Sequence, residues 1–394
     1  MPDIATISNH SAFQQHRRSI ESPFRDNADL ILPCSVDPQA SNRDDQIRQI
    51  AIQICPFLVN REVMLNHALC SVSVDDKPSE SSLSVKPLSG GLSNELFVVA
   101  DTVLVRIHPD DAVSMVDREK ESHLVAWLSR QYMAPIFYGR FQNGRVEELY
   151  PHVQPLTYRE MIPYGPYIAQ AMADFHSLVA PPHVLPKPEI PSRFETVDHW
   201  VRSILCSPAA STEMVQYIVR EWKWLRRELL AETSGSKALA FIREVVLTHM
   251  DCQSLNILKD ANSHNPGRIR LIDFEYAGWN QRAADIANTF CEHCEMNNIC
   301  ADFEKEFPSE TVQNNFLKAY LERCQPELLK EAGVFDTLRA EIGRFTLLSH
   351  LGWAAWSVVM ENEGAAIDFD YHAYAVHRLD GYQWGKARFC NVTC

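Results

Sequence analysis

The chain has 394 residues, 46% hydrophobic and 22% charged, an ordinary globular composition with ample apolar content for a large core. A formal net charge of −14 disfavours nucleic acid and anionic membranes as partners and suits a cationic substrate. The eleven cysteines, an odd number scattered along the chain, do not resemble a disulfide framework; they suit a reducing compartment, so a cytoplasmic location is expected.

The opening stretch to Phe24 has no apolar core segment, so no secretory leader is expected. Residues 1–43 are rich in Ser, Asn, Asp and His, lack periodicity, and read as a disordered or loosely docked tail. Structure is expected from Asp44, where Ile47, Ile50, Ile54 and Phe57 recur at helical spacing. Short β-rich runs follow at Leu83–Leu88, Glu95–Ala100 and Val103–His108, then a helix over Ala112–Gln131. The stretch IFYGRFQNGRVEELY reads as two strands around an Asn143–Gly144 turn. Beyond Pro151 the pattern turns helical, with Ile168, Met172, Phe175 and Leu178 on one face, then a proline-rich loop and more helix to about Ala240. EVVLTHMD and RIRLIDFE read as two strands around a turn, followed by helices to the end. The apolar run Phe345–Met360 carries Ser349, His350 and Ser357; it is too short and polar to span a bilayer and reads as a buried helix. The pattern predicts an α+β, bilobal fold: an antiparallel β-sheet lobe over 44–151 and a larger, mainly helical lobe over 152–394.

The strongest chemical signal is THMDCQSLN, Thr248 to Asn256, followed by LIDFE, Leu271 to Glu275. Phosphoryl transfer from ATP needs a carboxylate to hold the attacking hydroxyl and oxygen ligands for magnesium. In the order His-x-Asp-x4-Asn, strand, Asp, the residue Asp251 can orient the hydroxyl and take its proton. Asn256 and Asp273 can bind Mg2+, and His249 can brace the turn. Taken singly, each would pass for a turn residue; the ordered set points to a kinase. Upstream, Ser89, Gly90, Gly91, Leu92, Ser93 and Asn94 form a glycine-containing turn of the kind that lets backbone N–H groups approach phosphates. Arg106 on the next strand can fork onto phosphate oxygens, and Glu121, which shares a helix face with Leu124 and Leu128, is its expected partner, with Glu119 as the competitor. Trp353 and Trp356 share a helix face and Tyr371 and Tyr374 repeat the spacing; by itself this pattern reads as apolar core.

With these pieces in order, the chain resembles the choline/ethanolamine kinase family over about residues 45–385. GGLSNELFVV and VLVRIH resemble its nucleotide loop and third strand, THMDCQSLNIL its catalytic loop, and IDFEYAGWNQRAADIANTFCE its metal-binding segment. LSHLGWAAWSV with IDFDYHAYAVHRLDGY looks like its acceptor-binding segment. The resemblance implies a protein-kinase-like fold using ATP and Mg2+, with Asp251 as base, Asn256 and Asp273 as metal ligands and Arg106 with Glu121 holding phosphate. It implies an adenine-binding hinge at Glu147, Glu148 and Leu149. It implies an acceptor pocket lined by Gln253, Glu275, Glu292, Trp353, Trp356, Tyr371 and Tyr374. The implied partner is a small amino-alcohol substrate, in the first step of phosphatidylcholine or phosphatidylethanolamine synthesis. Neither nucleic acid nor stable membrane insertion is expected; a homodimer is a conceivable assembly. The chain departs from the family pattern at Met250, where asparagine is usual, and at Asn297, where choline-preferring members often carry tyrosine. The Asp251–Gln253 string looks more like choline kinases, so choline is expected as substrate with ethanolamine second. The runners-up are an ethanolamine-preferring kinase, another aminoglycoside-phosphotransferase-like kinase, and a catalytically dead binding protein. Cys291 and Cys294, with Cys300 beyond, lack a second pair at finger-like distance, so zinc is not expected.

Overall fold

The computed structural model describes residues 30–59, 83–88, 94–108, 117–261, 269–294, 301–364 and 369–390. The chain separates into two compact units that divide between Pro151 and His152.

In the first unit, strands β1 (Ile31–Leu32), β2 (Val85–Leu88), β3 (Glu95–Val99), β4 (Val103–Ile107), β5 (Phe137–Phe141) and β6 (Gly144–Glu148) form one sheet in the order β1-β5-β6-β4-β3-β2. All neighbours are antiparallel except β1 and β5. Period-2 alternation puts Val103, Val105 and Ile107 into a core with Ile47, Ile50 and Ile54 of helix α1 (Arg43–Ile54). Residues 30–43 depart from the expected loose tail. Ile31 and Leu32 pair with Arg140 and Phe141, and Val36 is buried, its backbone N–H and C=O both bonded by the Asn143 side chain at 3.0 and 2.8 Å. The segment covers what would otherwise be an open sheet edge, too briefly to produce a periodic signal. The β5–β6 turn is Gln142–Asn143, one residue earlier than expected; Gly144 already pairs with Phe141. Glycine is needed there by close approach, since a Cβ would lie 2.2 Å from the Arg106 carbonyl oxygen. Helix α2 runs Arg118–Arg130, and residues 112–116 of the longer helix read from the sequence lie outside the described residues.

The second unit is mainly helical. Its helices include α3 (Met161–His176), α4 (Ser192–Leu205), α5 (Glu213–Leu230), α6 (Lys237–Ile242), α7 (Arg282–Cys291), α8 (Phe303–Glu306), α9 (Glu310–Cys324), α10 (Val334–Asn362) and α11 (Tyr371–Phe389). The apolar run expected as a buried helix forms the centre of α10, where Leu338, Ile342, Phe345, Leu348, Leu351 and Ala355 are wholly buried against α11 and α7. Among the described residues no helix is long and apolar enough to cross a membrane. Two small sheets stand beside the helices: β8 (Val245–Thr248) with β11 (Gly278–Gln281), and β7 (Val153–Pro155), β9 (Ile257–Asp260) and β10 (Ile269–Leu271) in the order β10-β9-β7. EVVLT and RIRL therefore do not pair with one another; each takes a different partner. The partner of β8 lies thirty residues downstream at Gly278, a long-range choice that strand propensity does not reveal.

Candidate active site

The sequence-predicted residues fall in both units, and each group of them is built locally. In the first unit, α2 and the neighbouring strands β4 and β6 bring together a buried charge network. Arg106 donates to Glu147 at 3.0 Å, and Arg145 meets Glu121 at 2.7 Å and Glu147 at 3.5 Å. Arg118 joins Glu121 at 3.0 Å, one turn earlier on the same helix. The expected Arg106–Glu121 pair thus becomes a larger cluster, in which Arg106 acts on Glu121 through its charge and Arg145, unread in the sequence, makes the close contact. Glu147, expected at an adenine hinge, turns its carboxylate to Arg106 and Arg145, while Glu148 accepts from the Ile136 N–H at 3.1 Å and Leu149 N–H bonds Thr102. Asn94 Oδ1 sits 2.7 Å from His108 Nδ1; Ser89 to Ser93 lie outside the described residues.

Burial works to raise the Glu121 carboxyl, but the guanidinium groups of Arg145, Arg118 and Arg106 bring it down to about 2 from an ordinary 4.5. A carboxyl with a depressed folded-state pKa stabilises the fold above its unfolded value and loses that contribution as pH falls through the folded one. Glu121→Gln should therefore lower the unfolding free energy by about 3 kcal/mol at neutral pH, since each unit is worth about 1.4. Urea unfolding of wild type and variant checks this, and the gap should shrink as pH drops from 4.5 toward 2.

In the second unit, strand β8 ends at Thr248 and delivers the loop that carries Asp251. Asn256, at the end of the turn Ser254–Asn256, donates from Nδ2 to the Asp251 carboxylate at 2.7 Å and to the Asp251 carbonyl at 3.0 Å. Its own carbonyl accepts from Ile272 N–H at 3.0 Å, which sets Asp273 beside it. Gln253 is half-buried at the N-cap of that turn. His249 bonds the Ile272 carbonyl through Nε2 at 2.9 Å and takes the Asp251 N–H on Nδ1 at 3.3 Å. That pattern requires the neutral ring with its proton on Nε2, and burial favours it by pushing the imidazole below its ordinary pKa. His249 therefore ties the loop to the strand end before Asp273, as a brace should.

Burial first, then the charges of Glu292, Asp273 and Glu275, push the Asp251 carboxyl well above its ordinary value, with Arg193 acting the other way. A half-buried site with this many carboxylates favours positive charge. The aromatic residues assigned to the acceptor do cluster. Ring centres lie 5.5 Å apart for Trp353–Trp356, 5.7 Å for Trp356–Tyr371 and 6.3 Å for Trp356–Tyr374, with Phe369 against both tyrosines. Glu292 is held by Arg378 at 2.5 Å, and the same guanidinium donates to the Tyr374 hydroxyl at 2.6 and 2.9 Å.

Several residues that shape the site escaped the sequence reading. Asp285 on α7, wholly buried, accepts from His176 Nε2 at 2.9 Å, His249 N–H at 2.8 Å and Met250 N–H at 2.7 Å. Burial raises its carboxyl, but these bonds and the two histidines bring it below its usual value. Asp285 thereby holds Met250 at φ +66°; Asp273 stands in the same left-handed region at φ +65°. Non-glycine residues there are strained and collect at functional sites. Asparagine tolerates that conformation better than methionine, a physical basis for the residue usual at position 250. Asn288 accepts from Ser349 at 2.8 Å and from Trp353 Nε1 at 2.9 Å, and so fixes the Trp353 ring. The available signal was an Asp and an Asn on the inward face of the small-residue run AADIAN.

For a hard cation the fit is one of donor chemistry. With Asn256 Nδ2 turned to Asp251, its Oδ1 is left as an oxygen donor, and Asp273 follows directly on Ile272, whose N–H bonds the Asn256 carbonyl. Two protein oxygens with the remainder from phosphates is the kind of set magnesium takes. Among the described residues no group of three or more His, Cys, Asp or Glu suits a metal such as zinc, and Cys291 and Cys294 are free and buried; Cys300 and Asn297 lie outside the described residues.

Comparison with known proteins agrees with this architecture. A sequence profile described as choline/ethanolamine kinase matches residues 85–383. Ethanolamine kinase 2 of Rattus norvegicus is 31% identical over 78% of this chain and 76% of its own length. The choline/ethanolamine kinase of Homo sapiens is 29% identical over 79% of this chain and 82% of its own. A probable choline kinase of Arabidopsis thaliana is 28% identical over 80% and 89%. Among solved structures, the choline kinase of Cryptosporidium parvum superposes with a TM-score of 0.67 at 24% identity, covering 88% of this chain and 96% of that one. An ethanolamine kinase of Plasmodium vivax gives 0.62 at 20% identity over the same shares. These two show the protein-kinase-like fold. With the ordered Asp251–Asn256–Asp273 loop, the profile match and these identities together, this chain belongs to the choline/ethanolamine kinase family, phosphotransferases with an alcohol group as acceptor.

Proposed function

We propose that the enzyme transfers the γ-phosphoryl group of ATP to the hydroxyl of choline, with ethanolamine as second substrate. The observation that carries this reading is Asp251, half-buried and within the charge field of Glu292, Asp273 and Glu275, in the same unit as the Trp353–Trp356–Tyr371–Tyr374 aromatic group. Carboxylates and ring faces are the two means of holding an ammonium that cannot donate a hydrogen bond. Asp251 orients the acceptor hydroxyl and takes its proton. The hydroxyl oxygen forms a bond to the γ-phosphorus, and the bond from that phosphorus to the bridging oxygen breaks, its electron pair leaving on ADP. Asn256 keeps the Asp251 carboxylate in place, and His249 and Asp285 fix the loop beneath it. Asn256 and Asp273 would hold magnesium, which when bound offsets the charge of the phosphate oxygens. The Arg106 cluster, with the Ser89–Asn94 stretch read from the sequence, is the phosphate-holding part of the same reading. The reaction belongs in the cytoplasm, where free thiols such as Cys34, Cys55, Cys252 and Cys291 persist.

A second reading, ethanolamine as the preferred acceptor, has one observation behind it. The Arg193 guanidinium lies 4.5 Å from the centre of the Trp353 ring, which leaves less of that ring for a trimethylammonium. Steady-state kinetics on both amines separates the two. The proposal predicts a higher kcat/KM for choline, and a reversed order selects the second. Trp356, half-buried among Trp353, Tyr371 and Tyr374, is the ring to truncate. Trp356→Leu should raise the choline KM about five- to thirtyfold, from a cation–π contact of about 1–2 kcal/mol. Ethanolamine should suffer less, because its primary ammonium can still donate hydrogen bonds to carboxylates. An unchanged choline KM makes Trp356 a packing residue.

A further inference from the structure

Arg193 is the one described arginine whose buried guanidinium has all three nitrogens without a hydrogen-bond acceptor among the described residues. It is 2% exposed. Its Cζ lies 4.7 Å from the ring centre of Trp200 and 4.5 Å from that of Trp353. Trp353 in turn meets Tyr276 at 5.0 Å and Trp356 at 5.5 Å, so the cation stands inside the acceptor aromatic group. The position is built. The Arg193 backbone N–H donates to Asn280 Oδ1 at 2.6 Å, and Asn280 Nδ2 donates to Thr248 Oγ1 at 2.8 Å, at the start of the catalytic loop. Gly352 leaves room for it, since a Cβ there would come within 3.3 Å of Nη2. Arg378, the other buried arginine of this region, differs: it binds Glu292 and Tyr374. A buried cation with its in-plane donors unmet calls for acceptor oxygens that arrive with a ligand.

We infer that Arg193 is a phosphoryl-oxygen receptor on the acceptor side of the catalytic centre, taking the oxyanion of the phosphomonoester as it forms. The inference rests on the reading of Asp251 as the group that holds the acceptor hydroxyl. The hydroxyl oxygen held there becomes the ester oxygen, so the new phosphate arises beside Asp251, with whose charge Arg193 interacts. In a site lined by carboxylates, that dianion needs a cation of its own. Arg193 supplies planar, forked donors matched to phosphate and already desolvated.

The test compares Arg193→Gln and Arg193→Lys with wild type, using the full chain, calorimetric binding without nucleotide, and steady-state kinetics. The probes are phosphocholine, phosphoethanolamine, the two free amines, and serine as an amino alcohol bearing a carboxylate. Arg193→Gln should weaken phosphomonoester binding at least about tenfold and lower kcat about ten- to hundredfold. Free-amine binding should be no weaker than in wild type, since removal of the cation frees the Trp353 face, and the KM for ATP should stay within about threefold. Arg193→Lys should recover part of the loss. A merely structural cation would weaken phosphorylated and free ligands alike, and that outcome, or unchanged phosphomonoester binding, overturns the assignment. If Arg193→Gln does not fold, Arg193→Lys decides, because loss of the planar fork should itself cost several-fold in phosphomonoester affinity; no change overturns it. Dependence on Arg193 for serine but not for the phosphomonoesters would place a substrate carboxylate there instead, and also overturns it. Failure of both amines as substrates would sink the amine reading, whereas the Arg193 assignment stands or falls on phosphomonoester binding.

Discussion

Asp251→Asn should retain ATP binding and lose turnover by at least about a hundredfold. A positioned general base contributes roughly 10²–10⁴, and orientation of the nucleophile adds to this. The substitution isolates the charge. The Asn256 Nδ2 that now donates to the Asp251 carboxylate can donate equally to an amide oxygen, so the loop keeps its shape. What disappears is the acceptor for the hydroxyl proton. Measuring kcat together with the ATP dissociation constant checks both halves, and near-normal turnover would remove Asp251 from its role.

Asp285→Asn should damage both stability and turnover without touching a substrate. The carboxylate receives three donors: the His176 ring, the His249 N–H and the Met250 N–H. An asparagine can accept on one oxygen only, and its NH2 would confront a donor. A buried unmet donor costs about 1–3 kcal/mol, and breaking the His176–Asp285 contact adds to that. Destabilisation of about 3 kcal/mol is expected, with kcat down at least about tenfold because Met250 loses the bond that holds its left-handed backbone. Thermal melting and kinetics on the same preparation test this. A variant with wild-type melting and turnover would show that the loop is held by other contacts.

These two residues also mark how far the sequence could be read. Asp251, Asn256 and Asp273 were legible because their order along the chain is itself the signal: a turn between strands, read from spacing. Asp285 was not, because its role exists only once α7 packs beneath a loop thirty-six residues away. The strands of the first unit followed from period-2 patterning, yet β1 did not, since two residues pairing in parallel on an edge leave no periodicity. Glu121 was expected to point inward and is buried, but Arg106, its expected partner, bonds Glu147, and local spacing carries no information on Arg145, which β6 brings to both Glu121 and Glu147. Tryptophans three apart on α10 announced an aromatic cluster. That Arg193 stands among them comes from α4, about 160 residues earlier in the chain, and the sequence around it reads only as a helix start.

The central claim is tested most directly by following the reaction of the purified full chain by phosphorus NMR, with ATP and each amine, with and without magnesium. The account predicts a phosphomonoester signal from choline that requires magnesium, and a slower one from ethanolamine. Consumption of ATP with no phosphomonoester formed on either amine would contradict it.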